Sequence, residues 1–273
     1  VGDAEVGGTE LEAVQRTLLT PLCARARDAS RRRPLLADRR ASELVAALGL
    51  TAGGSLVPVL RAAVIDQWVG DFLAAHRGGT VVELGCGLDT RSERLGGSVA
   101  GGRAHWLDVD LPEVAELRRD LLPDTGSRTT FAGSVLDEDW LDVARRHPGP
   151  YLLVSESVLV HLPEQGVQRL VDMIGRVLPG AMLVTDTVGR AAAERLESSA
   201  PLGPLGLTFD WTCEDPVELE PWGLRLEESR RTGELPPATA RRAGLGRRAG
   251  ALSARLTRSE RAHRLARYEV LAH

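Results

Sequence analysis

The chain has 273 residues, 43% of them hydrophobic and 26% charged, so it is long enough to bury a full core without disulfides or a structural metal. The formal charge of -4 gives no global drive toward nucleic acid or an anionic membrane, and neither is expected as a partner. All 34 basic residues are arginine, which excludes a phosphate-loop lysine and an internal Schiff base.

Cys23, Cys86 and Cys213 are odd in number and far apart, so neither a disulfide framework nor a zinc site is supported; no metal is expected, and a reducing cytoplasm is the expected home. No apolar run approaches the roughly 20 residues of a membrane helix, and the acidic, glycine-containing start does not resemble an export signal.

In chain order, two helix-like stretches at about 10–29 and 38–48 precede any strand and read as an N-terminal helical cap over 1–55. Residues 61–76 place Val64, Ile65, Trp68, Val69, Phe72 and Leu73 on one helical face. Gly78-Gly79 end that helix, and the β-rich run 80–84 follows, stopped by Gly85-Cys86-Gly87. The alternation continues with a strand at 104–109, a helix at 112–122 and a strand at 129–135. After these come a helix at 138–147, a strand at 151–154, a helix at 163–178 and a strand at 181–186. Strands recurring at the length of a βα unit predict a parallel, doubly wound Rossmann-like α/β domain over 56–273. Residues 190–222, rich in Pro and Gly, interrupt the pattern before a strand-like stretch at 223–230, and their position makes them a candidate lid. Arginines crowd the stretch from Arg225 to Arg267, which reads as a solvated face or loop because aromatic residues to stack bases are scarce there.

The sharpest local signal is Glu83-Leu-Gly85-Cys-Gly87-Leu-Asp89, a glycine turn between strand and helix that lets the backbone approach a ligand. A dinucleotide fingerprint needs glycine at position 90, where this chain has Thr90, and Asp89 repels a pyrophosphate. An acidic strand end before two glycines suits a ligand with a cationic amino-acid part, as in S-adenosylmethionine (SAM). A structural turn with incidental glycines reads similarly. The next strand ends in Asp108-Val-Asp110, where either carboxylate can accept both hydroxyls of a ribose.

The run Thr80-Val-Val-Glu-Leu-Gly-Cys-Gly-Leu-Asp-Thr-Arg91, followed by Trp106-Leu-Asp-Val-Asp-Leu-Pro-Glu-Val114, resembles the leucine carboxyl methyltransferase-like superfamily. Within it, the resemblance is to the tetracenomycin-type polyketide O-methyltransferases. Matching segments run in order from about 17 to 220, among them Ser134-Val-Leu-Asp137, Ser155-Glu156 through Leu162, and Trp211 with Glu214-Asp-Pro216. The resemblance implies a class I SAM-dependent methyltransferase fold and S-adenosylhomocysteine as the product form of the cofactor. It puts Arg61, assisted by Arg25, on the methionine carboxylate, and Glu83, Gly85 and Gly87 along the cofactor. Asp110 or Asp108 then takes the ribose, Ser134 and Val135 the adenine, and Glu156 the amino group.

Two departures bear on the acceptor: His161 and Cys23 stand where relatives tend to carry Tyr. His161 is either a packed side chain or a residue that orients or deprotonates the acceptor, while Cys23 reads as a small buried residue. The expected reaction is methyl transfer to a carboxyl or phenolic oxygen of a small aromatic or polyketide-type molecule, enclosed by Phe209, Trp211 and Trp222. The competing readings are a SAM-binding protein that rearranges its substrate without methylating it, and a nucleotide-binding oxidoreductase, against which Thr90 and Asp89 argue.

Overall fold

The computed structural model describes residues 18–95, 104–198, 208–235, 237–242 and 263–272. Parts of the first cap stretch, of the candidate lid and of the arginine-rich segment lie outside them.

Helices α1 (Leu19–Ala29) and α2 (Arg39–Ala47) come first, and α2 is capped by the Asp38 carboxylate accepting from the Ala41 N–H. Helix α3 (Val57–Ala75) starts four residues before the amphipathic pattern predicts, with Pro58 in its first turn. Its sides are buried against two different partners. Val64, Ile65, Trp68, Val69, Phe72 and Leu73 pack on the sheet, while Val57, Val59 and Leu60 pack with Ala24 and Leu35 of the cap.

The strands are β1 (Thr80–Leu84), β2 (His105–Asp110), β3 (Arg128–Ala132), β4 (Tyr151–Ser155), β5 (Met182–Val188), β6 (Leu224–Arg231) and β7 (His263–Val270). They form a seven-stranded sheet in the order β3-β2-β1-β4-β5-β7-β6. β1 through β5 pair in parallel, but β7 runs antiparallel between β5 and β6, so the expected all-parallel sheet is a mixed one. Strand β7 is hidden in sequence among arginines. Arg264, Arg267 and Glu269 keep partial exposure while Leu265, Tyr268 and Val270 are buried.

Between the strands run α4 (Arg91–Leu95), α5 (Pro112–Leu121), α6 (Asp139–Ala144), α7 (Glu164–Val177), α8 (Arg190–Glu197) and α9 (Pro237–Arg242). One face of the sheet carries Val82, Leu107, Val109, Leu153 and Leu183 into a core with Trp140 of α6 and Leu170 and Ile174 of α7. The opposite face carries Val81, Trp106, Leu152, Val154 and Val184 onto α3. The cap closes from the side, with Leu22, Ala26, Leu44 and Val45 packing on Leu88 and on Leu117 of α5.

Strand order reverses between β1 and β4, and the carboxyl ends of these two strands open the crevice in which such sheets hold ligands. Among the described residues, no helix is long and apolar enough to cross a membrane.

Candidate active site

Period-two alternation puts Glu83, Asp108, Asp110 and Asp186 on the same face as Val81, Trp106 and Val184, at or near the carboxyl ends of their strands. Helices α1, α3, α4 and α5 answer with arginines. Arg25, Arg61, Arg91, Arg94 and Arg118 interleave with Asp38, Asp66, Glu83, Asp89, Asp108, Glu156 and Asp186, so carboxylates outnumber guanidiniums. That excess favours a cationic ligand over a phosphate.

The glycine turn leaves β1 with Gly85 at φ +62° and Gly87 at φ +49°, both left-handed. A Cβ on Gly85 would lie 2.3 Å from Val158 Cγ2, and one on Gly87 would lie 2.7 Å from Leu18 Cδ2. Glycine is therefore required twice over, by backbone conformation and by close approach of the β4 loop and of the cap. The Gly87 N–H donates to Asp110 Oδ2 at 2.6 Å, and the Leu111 N–H donates to Oδ1 at 2.8 Å. Burial raises the Asp110 carboxyl above its ordinary range, although those two backbone donors oppose the shift. Each oxygen retains a lone pair, which is the acceptor set a ribose diol needs.

Glu156 follows β4 directly. Its Oε1 accepts from Arg61 Nε at 2.7 Å and its Oε2 from Arg91 Nη2 at 2.8 Å. The next residue, Ser157, has φ +58°, and its N–H donates to Asp186 Oδ1 at 2.7 Å. Asp186 also lies 3.6 Å from Arg61 Nη1. Arg61 and Glu156, each mostly buried, thus put a cationic and an anionic group side by side at the crevice. Burial alone lowers an arginine's affinity for its proton, but the Glu156 and Asp186 charges prevail and raise that of Arg61.

Three further predicted cofactor residues are likewise engaged by the protein itself. Asp108 is fully buried beneath Asp110 on the same face, with Oδ2 held by Arg118 Nη2 at 2.6 Å and Nε at 2.9 Å; of the two strand-end acids, only Asp110 keeps any solvent exposure, 8%. Glu83 takes Arg91 Nη1 on both oxygens, at 3.0 and 2.7 Å. Arg25 donates to Asp38 at 3.0 Å and to the Leu88 carbonyl at 2.8 Å, bracing the glycine turn from the cap.

Burial raises the Glu83 carboxyl to about 7, with Asp89 adding to the shift against Arg91. Asp89 is mostly buried, yet Arg91, Arg94, Arg25 and Arg118 overcome burial and hold it well below the carboxylate range. Sequence reasoning missed Arg118, whose Nη1 also donates to the carbonyls of Gly87 and Asp89, and it missed Arg91 and Arg94. Their available signal was two arginines three residues apart directly after the glycine turn.

Ser134 and Val135 lie in the loop after β3. The Ser134 N–H is tied to Asp137 at 2.8 Å and the Val135 carbonyl accepts from Trp140 Nε1 at 3.0 Å. His161, in a 3₁₀ turn (Leu159–His161), bonds the Thr208 carbonyl through Nδ1 at 3.1 Å and stacks on Phe209 with centroids 5.7 Å apart. Because a carbonyl only accepts, Nδ1 carries the proton in the neutral ring and Nε2 is left as the acceptor. Trp211 is buried in the core against Trp222, with centroids 6.1 Å apart, so packing already accounts for both rings. Cys23 is half-buried and Cys86 and Cys213 are buried.

The residues present fit SAM. Asp110 has spare acceptor capacity, and Arg61 and Glu156 supply the poles complementary to an α-amino acid.

Comparison with known proteins agrees. The leucine carboxyl methyltransferase family model matches residues 19–175. The tetracenomycin polyketide synthesis O-methyltransferase TcmP of Streptomyces glaucescens is 35% identical over 227 residues, covering 80% of this chain and 83% of its own. The SAM-dependent methyltransferase dpfgK of Gibberella zeae is 28% identical over 251 residues, covering 81% and 83%. A solved structure from Thermobifida fusca, described as a candidate methyltransferase, superposes with a TM-score of 0.58 at 21% identity over 91% of this chain and 94% of that one, a likeness of fold. The chain belongs to the leucine carboxyl methyltransferase family and is a SAM-dependent methyltransferase of the class I fold.

Proposed function

We propose that the chain methylates an oxygen, carboxyl or phenolic, of a small aromatic or polyketide-type natural product. The observation that carries this reading is the Arg61–Glu156 pair at the reversal point of the sheet, one strand from Asp110. The name of the Streptomyces relative, an O-methyltransferase of polyketide synthesis, supports the acceptor class.

In this reading Arg61 takes the cofactor's carboxylate, Glu156 its ammonium, Asp110 its ribose, and Ser134 with Val135 its adenine. When bound, SAM supplies a methyl group already activated by a sulfonium, so the protein's task is to hold the acceptor oxygen in line and exclude water. In this reading the described cap residues 18–55 and the described parts of the insertion, 190–198 and 208–222, cover the crevice. Leu18 against Gly87 and Arg25 on the Leu88 carbonyl support the first, and His161 bonded to Thr208 supports the second. Phe209, stacked on His161, fixes the imidazole plane, with Nε2 free to accept a phenolic proton.

The test is turnover with SAM and a panel of aromatic phenols and carboxylic acids, read as a gain of about 14 Da per acceptor. A carboxylate is already ionised at neutral pH, while a phenol of pKa about 10 benefits from a base. His161→Ala therefore slows phenol methylation by about 100-fold and leaves carboxylate methylation within about three-fold. Equal losses on both contradict the proton-accepting role. Recovery of an isomer without mass gain contradicts the methyl-transfer reading.

A further inference from the structure

Arg91 is fully buried at the site, and no part of the reading above gives it a task. Its side chain is 1% exposed, and three arms of one guanidinium reach three carboxylates: Nε to Asp66 at 2.7 Å, Nη1 to Glu83 at 2.7 Å, and Nη2 to Glu156 at 2.8 Å. Asp66 belongs to α3, where Arg94 grips it as well, and Glu83 belongs to β1. The third arm reaches the loop after β4, to a carboxylate whose other oxygen is held by Arg61.

We propose that Arg91 is a positioning residue for the amino-acid end of the cofactor, acting through Glu156: Arg61 on Oε1 and Arg91 on Oε2 together fix the carboxylate that receives the ammonium. The inference rests on the cofactor reading above. A carboxylate held at one oxygen rotates about its terminal torsion, which is broad and weakly restrained. Held at both, it presents its remaining lone pairs in one plane, and the ammonium meets an acceptor ordered beforehand. The same guanidinium grips Glu83 two residues before Gly85, so the β4 loop and the start of the glycine turn move as one piece. Lysine cannot replace it, because a single ammonium on a flexible stem lacks the planar fork that spans Glu83 and Glu156 together.

The test uses two ligands that share adenosine and a thioether. S-adenosylhomocysteine carries the ammonium and carboxylate, whereas 5′-methylthioadenosine carries neither. Calorimetric titration of the full chain compares wild type, Arg91→Met and Arg91→Lys. A positioning role predicts that Arg91→Met weakens S-adenosylhomocysteine by about ten-fold or more, the size expected for a charge-assisted bond. The affinity for methylthioadenosine then stays within about three-fold. Arg91→Lys shows the same selective loss, several-fold in size, and decides the matter if Arg91→Met does not fold. A merely structural role moves both ligands together, and that result, or no loss for either, overturns the inference. Failure of wild type to bind S-adenosylhomocysteine overturns the cofactor reading and this inference with it. Wild-type binding with parallel loss of both ligands overturns the inference alone.

Discussion

Replacing Gly85 by alanine imposes two separable costs on the turn that leaves β1. The backbone sits at φ +62°, where an L-residue with a Cβ costs about 1 kcal/mol or somewhat more relative to glycine. The added methyl also meets Val158, with Cγ2 at 2.3 Å, closer than non-bonded carbons approach, and Cγ1 at a tight 3.3 Å. Because Val158 packs against the main core, displacing it falls in the range of overpacking, about 1–3 kcal/mol. Gly85→Ala should therefore lose roughly 2–4 kcal/mol in urea unfolding followed by circular dichroism. Two companions separate the costs. Gly180→Ala has φ +78° and nothing within 4 Å of the new Cβ, so it should lose only the backbone part, about 1 kcal/mol. Val158→Ala added to Gly85→Ala should recover much of the steric part. Gly85→Ala within about 0.5 kcal/mol of wild type, or no recovery in the double variant, refutes the close-approach argument.

Trp68→Ala, which empties a nearly fully buried site on the sheet side of α3, should cost about 3–5 kcal/mol. Trp68→Phe, which chiefly loses the indole N–H bond to Glu228 at 2.9 Å, should cost about 1–2 kcal/mol by the same unfolding assay. The Glu83 carboxyl is raised from its ordinary 4.5 to about 7, so the folded state binds the proton more tightly than the unfolded one. Its contribution to stability is greatest below about pH 4.5, falls as pH rises toward 7 and is level above. Glu83→Gln should flatten that fall in unfolding measured across pH 4.5–7.5, and an unchanged slope contradicts the assignment. Asp110→Asn leaves one acceptor oxygen for two backbone donors and should weaken S-adenosylhomocysteine about ten-fold in a calorimetric titration, while β2 still forms.

Elements whose sequences carry one unambiguous period were legible in advance. β1 and β4 are short apolar runs bounded by glycine or proline, α5 starts with Pro112 in its first turn, and α7 follows Pro163 with a continuous apolar stripe. β7 was not legible, because its buried positions alternate with arginines in a stretch that otherwise reads as a charged loop. The site shows the same division. The glycines at 85 and 87 and the acid at 110 follow from local geometry, which a strand-turn-helix fixes within a few residues. Glu83 and Asp108 read as open acids because their partners, Arg91 and Arg118, meet them only once α4 and α5 fold back over the strand ends. Trp211 and Trp222 read as pocket walls because large aromatics in an insertion leave their direction open, and here the two rings pack on each other and on the core.

The most direct test of the account is calorimetric titration of the purified chain with S-adenosylhomocysteine, beside Arg61→Ala and Glu156→Ala. The account predicts saturable binding to wild type and a loss of about ten-fold or more in each variant, since each removes one pole of the amino-acid site. Absence of wild-type binding, or variants that bind as wild type does, would contradict the placement of the cofactor's amino-acid end at Arg61 and Glu156.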